Sequence, residues 1–207
     1  MNSSRQGLTP QPPSAGPTAP NDAKGNISAA IRWWPALAGL AFGLFVARDL
    51  FDGTESGADL GAIVAASGLV YLGAAALHRR WTAWPVFFLS VLVIAAAKTA
   101  RIGAGATWIL LGLAGLFFAW GLLHDVRRSS FSAQAIGMAV FGTLAATVLV
   151  LDHVTGAYLV AAGLLLHAAW DAYHFRANRA VIRSMSEFCF VLDIALAAAI
   201  VITTSGD

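Results

Sequence analysis

Long apolar runs and short polar joints alternate along this chain. From residue 33 onward, runs rich in Ala, Leu, Gly and Val cover roughly 33–51, 59–77, 82–100, 104–124, 133–151, 155–175 and 186–204. Each is close to the ~20 residues that a helix needs to cross the hydrocarbon of a bilayer. None shows the period-2 alternation of an outer-membrane barrel strand. The pattern therefore predicts an all-α fold, a polytopic transmembrane bundle of seven helices. The joints are too short to fold alone, so any chemistry must sit within the membrane or at a loop surface.

The first 30 residues follow a different pattern. Pro10, Pro12, Pro13, Pro17 and Pro20 fall there among Ser, Gly, Gln and Asn. Such a stretch buries too little apolar surface to offset its ordering entropy. We read 1–30 as a disordered cytoplasmic tail and 31–207 as the transmembrane domain. No apolar stretch follows Arg5, so the tail is not a secretory signal, and the first span does the targeting.

Composition sharpens this picture. The chain is 58% hydrophobic and only 12% charged, with a mean hydropathy of +0.70. A soluble domain carries about 25% charged residues. The net charge of +2 sits in clusters between apolar runs, which points to membrane orientation rather than a nucleic-acid partner. The expected partners are the lipid bilayer and, beyond it, a second copy or another membrane protein. Cys189 is the single cysteine, which excludes an internal disulfide and any Cys-rich metal motif.

Lys and Arg in short loops orient such a bundle. Arg32, Arg79, Arg80, Arg127, Arg128, Arg176, Arg179 and Arg183 fall on one side, and Asp52, Glu55, Asp59 and Asp152 on the other. This predicts a multi-pass protein of the cell inner (plasma) membrane with its N-terminus cytoplasmic and its C-terminus outside. Lys98 and Arg101 fall on the wrong side of that assignment. Trp33, Trp34, Trp81, Trp84 and Trp108 lie near span ends, where indoles sit at headgroup level.

Spans 2, 4 and 6 carry similar sequences near their ends, around His78, His124 and His167, at separations of 46 and 43 residues. The similarity suggests three helical hairpins plus a terminal helix, a kind of internal symmetry common in transporters. Composition alone also makes Ala/Leu-rich spans look alike, and the small residues let helices approach closely.

Span 6 holds the one constellation with chemical content. At 100° per residue, Asp171 lies about 40° from His167 and His174 about 20° the other way, so the three share a stripe. Span 7 adds Glu187, Cys189 and Asp193. Counting nine residues inward from Arg176 and from Ser184 places His167 and Asp193 at the same depth, roughly 13 Å. The same count sets Asp171 opposite Cys189 and His174 opposite Glu187. An ionised Asp at a helix centre costs about 2.5–3.5 kcal/mol, so it needs a partner or a purpose.

Three readings follow. In a structural network, Asp193 accepts from His167, while Asp171 and His174 bind the Arg176–Arg183 loop. In a metal site, His167, Asp171 and His174 ligate a divalent ion, with Cys189 or Asp193 as a fourth ligand. In a proton relay, the same groups serve transport or catalysis. Trp170 and Tyr173 flank the stripe, either walling a pocket or anchoring the interface. Elsewhere, Arg48 and Asp49 can pair with each other, His78 and His124 fit headgroup level, and His153 lies in an outer loop.

The pattern His167-x-x-Trp170-Asp171-x-x-His174, then Cys189-x-x-x-Asp193, resembles one in bacterial multi-pass membrane proteins grouped as a domain of unknown function. The likeness covers about 27 residues and implies that these five positions belong together, without an activity. Alkaline ceramidases also have seven helices, but their His-x-x-x-His pair in the last helix has no counterpart in span 7. Membrane terpene cyclases use acidic proton donors, for which only Glu187 and Asp193 are candidates. The leading expectation is a polar site between helices 6 and 7, toward the cytoplasmic side, that binds or moves a small molecule, proton or metal ion. The alternatives are a scaffold whose cluster is purely structural and an intramembrane acid–base enzyme.

Overall fold

The computed structural model describes residues 22–52, 57–124 and 129–206. Among them are seven α-helices and no strand: α1 (Asp22–Phe51), α2 (Gly57–Ala76), α3 (Ala83–Ala100), α4 (Gly105–Leu123), α5 (Ser129–Val148), α6 (His153–Ala177) and α7 (Arg183–Gly206). Six are long and apolar enough to cross a membrane. The exception, α2, has a shorter apolar segment, Leu60–Ala76, within a helix of 20 residues. At 1.5 Å per residue that helix is about 30 Å long, the thickness of the hydrocarbon. The chain is an integral, multi-pass membrane protein built as a helical bundle.

The chain divides into two units, one up to Trp33 and one from Trp34 onward. In the first, α1 begins at Asp22, inside the stretch expected to be disordered. The proline run stops at Pro20, and helix formers such as Ala23, Lys24, Ala29 and Ala30 follow. Arg32 lies over the Trp33 ring at 5.4 Å. Residues 1–21, and with them the proline-rich stretch, lie outside the described residues, as do Glu55, Arg127 and Arg128.

In the second unit α2 is the central helix, packed against α3, α4, α5 and α6. Its sequence explains why. Gly61, Ala62, Ala65, Gly68, Gly73 and Ala74 keep its surface thin, so neighbours approach its backbone closely in lipid. A Cβ on Gly68 would meet Met138 Sδ of α5 at 2.9 Å, and one on Gly73 would meet Val86 of α3 at 2.9 Å. The bulky residues of α3 and α4 point outward instead, as with Leu92 and Leu116, both about two-thirds exposed. A water-soluble fold would bury them; a bilayer accepts them.

The joints are tight. His78, Arg101 and Asn178 take left-handed conformations at the ends of α2, α3 and α6. Arg80 donates through Nη1 to the Asn178 carbonyl at 2.5 Å, tying the α2–α3 joint to the α6–α7 joint. Asp152 caps α6 by accepting from the Thr155 backbone N–H at 3.0 Å, which holds its carboxyl below the usual carboxylate range. Lys98, the charge on the unexpected side, forms an ion pair with Asp49 at 2.5 Å. That pair is neutral, so Lys98 adds no net positive charge to its end of the bundle. Arg48 pairs with Asp52, one turn along, at 3.5 Å.

The three histidines of the apparent repeat occupy unlike positions. His78 and His124 lie just beyond the ends of α2 and α4 and are exposed, whereas His167 is fully buried ten residues before the end of α6.

Candidate functional site

The α6 stripe faces inward: His167, Asp171 and His174 are all buried. So is Asp193 of α7. The pairing by depth brings His167 and Asp193 together, with Nδ1 2.7 Å from Asp193 Oδ2. The same Nδ1 lies 3.2 Å from Asp171 Oδ2. One imidazole nitrogen thus stands between two carboxylates, each less than 2% exposed.

The other two depth pairings fail, because depth fixes height along a helix but not direction around it. Asp171 turns toward α2, where Tyr71 donates its hydroxyl to Oδ1 at 2.5 Å. Tyr71 Oη also lies 3.2 Å from Ser186 Oγ of α7. Cys189 instead directs its thiol toward Met185 Sδ at 3.5 Å. His174 turns toward α5, where its Nε2 lies 3.0 Å from Gln134 Nε2. Glu187 is half-buried and takes no part in the cluster's hydrogen bonds among the described residues. The Arg176–Arg183 loop does not bind Asp171 or His174; Arg183 lies over the Phe175 ring instead.

His174 closes a self-contained circuit. Its Nδ1 lies 3.0 Å from the Trp170 carbonyl, which can only accept, so Nδ1 carries the proton. Nε2 then accepts from Gln134, and Gln134 Oε1 accepts from Trp170 Nε1 at 3.3 Å. Every partner in this loop is satisfied with a neutral imidazole. Trp170 is therefore a hydrogen-bonding member of the circuit, while Tyr173 is exposed.

His167 and Asp171 contrast with this. His167 Nε2 and Asp171 Oδ2 are buried without a hydrogen-bond partner. The rings of Phe141 and Tyr71 stand edge-on to the imidazole, with centroids 5.0 and 5.5 Å away. His167, Asp171 and Asp193 offer three ligand atoms within 4.8 Å of one another. Asp193 thus takes the place that the sequence-based metal set gave to His174, and Cys189 is not in this group.

Asp193 also lines a cavity of about 200 Å³ between α1, α2, α3 and α7. Its walls are apolar, with Phe42, Ile63, Val70, Phe87 and Leu192 prominent. Two lining serines are internally satisfied: Ser67 and Ser90 donate to carbonyls one turn back. Asp193 is then the strong polar group on the α7 wall, between Cys189 and Leu196, and the Asp49–Lys98 pair lines the cavity as well. Along α3 the lining runs from Phe87 to Lys98, about 16 Å at 1.5 Å per residue. The site is therefore larger than an α6–α7 seam, for α2, α5 and the cavity between α1, α2, α3 and α7 all join it.

Tyr71, Gln134 and Ser186 went unrecognised in the sequence. The signal was present for two of them. Tyr71 is the only aromatic residue in α2, and Gln134 is the only glutamine beyond the N-terminal stretch. A hydrogen-bonding side chain in an apolar span asks for a partner as a charged one does. Comparison with protein-family models, curated proteins and solved structures yields no match to this chain.

Proposed function

We propose that this membrane protein binds an amphipathic small molecule in the cavity between α1, α2, α3 and α7. The apolar body lies along Phe42, Ile63 and Phe87, and the polar head reaches Asp193. The observation that carries this reading is the double membership of Asp193, which lines the cavity and is hydrogen-bonded to His167. Behind it, His167 Nδ1 stands 3.2 Å from one Asp171 oxygen, and the other Asp171 oxygen accepts from Tyr71. The His174–Gln134–Trp170 circuit, satisfied in itself, is assigned a structural role.

The test is recovery of a ligand from the full-length protein. Wild type and Ala66→Phe, which fills the cavity from α2, are purified identically and extracted for mass spectrometry. An amphiphile enriched in wild type and lost from the variant supports the reading. Identical extracts from two folded proteins would refute it. The distribution of arginines favours a cytoplasmic N-terminus and an external C-terminus in the plasma membrane.

A further inference from the structure

We infer that His167, Asp171 and Asp193 form a site for one divalent first-row metal ion, of the zinc class, that meets the cavity through Asp193. The inference goes beyond the binding of an amphiphile and stands on the cluster alone.

The donor set is the first ground. One imidazole nitrogen and two carboxylates, all fully buried, suit zinc and its neighbours. In a tetrahedral site with bonds of about 2.1 Å, adjacent ligand atoms are about 3.4 Å apart. His167 Nδ1 lies 3.2 Å from Asp171 Oδ2 and 2.7 Å from Asp193 Oδ2. Shifts of less than about 1 Å would open the set around an ion.

Asp171 is 0% exposed, and its Oδ2 has no hydrogen-bond partner although it points at the imidazole. Its other oxygen is held by Tyr71. A carboxylate fixed through one oxygen with the other turned into the cluster is how outer-shell partners orient metal ligands.

Charge supplies the third. A neutral imidazole and two ionised carboxylates carry −2. Among the described residues, no Lys or Arg forms an ion pair with either carboxylate. One divalent cation neutralises the cluster completely, and so do two protons. On metal binding, the ion takes the Nδ1 lone pair and the imidazole proton resides on Nε2. Three protein ligands leave a fourth position, as at zinc sites that act on a bound molecule. Because Asp193 lines the cavity, an oxygen of the occupant can fill that position.

The test is metal analysis of the full-length, tag-free protein from zinc-supplemented cells. Wild type should hold about one ion per chain, and His174→Gln, outside the ligand set, should retain it. Asp171→Asn, nearly isosteric, should lose it. Cobalt loaded into wild type should give the visible absorption of a tetrahedral site, absent from Asp171→Asn. Near-zero metal in folded wild type, or equal metal in wild type and Asp171→Asn, would overturn the assignment. If Asp171→Asn does not fold, the wild-type and His174→Gln contents and the cobalt spectrum still decide. Ala66→Phe separates the two readings: it should lose the amphiphile and keep the metal.

Discussion

Tyr71 does at one residue what sequence patterning does not show. Its hydroxyl bridges Asp171 of α6 and Ser186 of α7 from the central helix. Tyr71→Phe keeps the ring against His167 and His174 but leaves the Asp171 oxygen and the Ser186 hydroxyl short of a partner. A buried group so orphaned costs about 1–3 kcal/mol, so the variant should melt lower than wild type in a thermal unfolding scan. An unchanged melting point would mean that the bridge is dispensable. The His167–Asp193 contact was legible because a short α6–α7 connection aligns the depths of antiparallel neighbours. The contacts of Asp171 with Tyr71 and of His174 with Gln134 were not. They cross 100 and 40 residues of sequence, and nothing in a helical stripe reports which neighbour it faces.

Helices pack here by small residues, and their effect differs sharply from one glycine to another. A Cβ on Gly39 of α1 would run into the Phe188 carbonyl of α7. Gly39→Ala must therefore push α1 away from α7, loosening the cavity wall that carries Phe42. Gly112 of α4 has nothing within 4 Å of such a Cβ, and alanine is the better helix former by roughly 0.5–1 kcal/mol. Gly39→Ala should melt below wild type and Gly112→Ala at or above it; the reverse order would contradict the packing. Element positions were largely legible. The apolar run expected at 104–124 appears as Gly105–Leu123, and that at 82–100 as Ala83–Ala100. Hydropathy marks where a helix enters and leaves lipid. It does not mark which helix is central, because α2 and α4 are both Ala/Leu/Gly-rich while only α2 is enclosed.

Among the described residues, charge collects at the helix ends and at one place inside the bundle. The Arg80 bond to Asn178 joins two basic joints at one end, and the Asp49–Lys98 pair closes the other with no net charge. We propose that α2 crosses together with the six longer spans, and an odd number of crossings would put the termini on opposite sides of the membrane. Reporter fusions should give cytoplasmic activity at the N-terminus and external activity at the C-terminus; signals from one side at both ends would mean an even number of crossings. The interior charge is the Asp171–His167–Asp193 cluster, and Asp193 links it to the cavity. The most direct measurement is the thermal shift produced by single-chain amphiphiles that differ only in headgroup, read on wild type, Ala66→Phe and Asp193→Asn. A ligand at about 100 times its Kd stabilises the folded state by about 2.7 kcal/mol. At least one headgroup should therefore raise the wild-type melting temperature clearly, leave Ala66→Phe unmoved and lose most of its effect on Asp193→Asn. Equal shifts in all three proteins, or none in wild type, would contradict it.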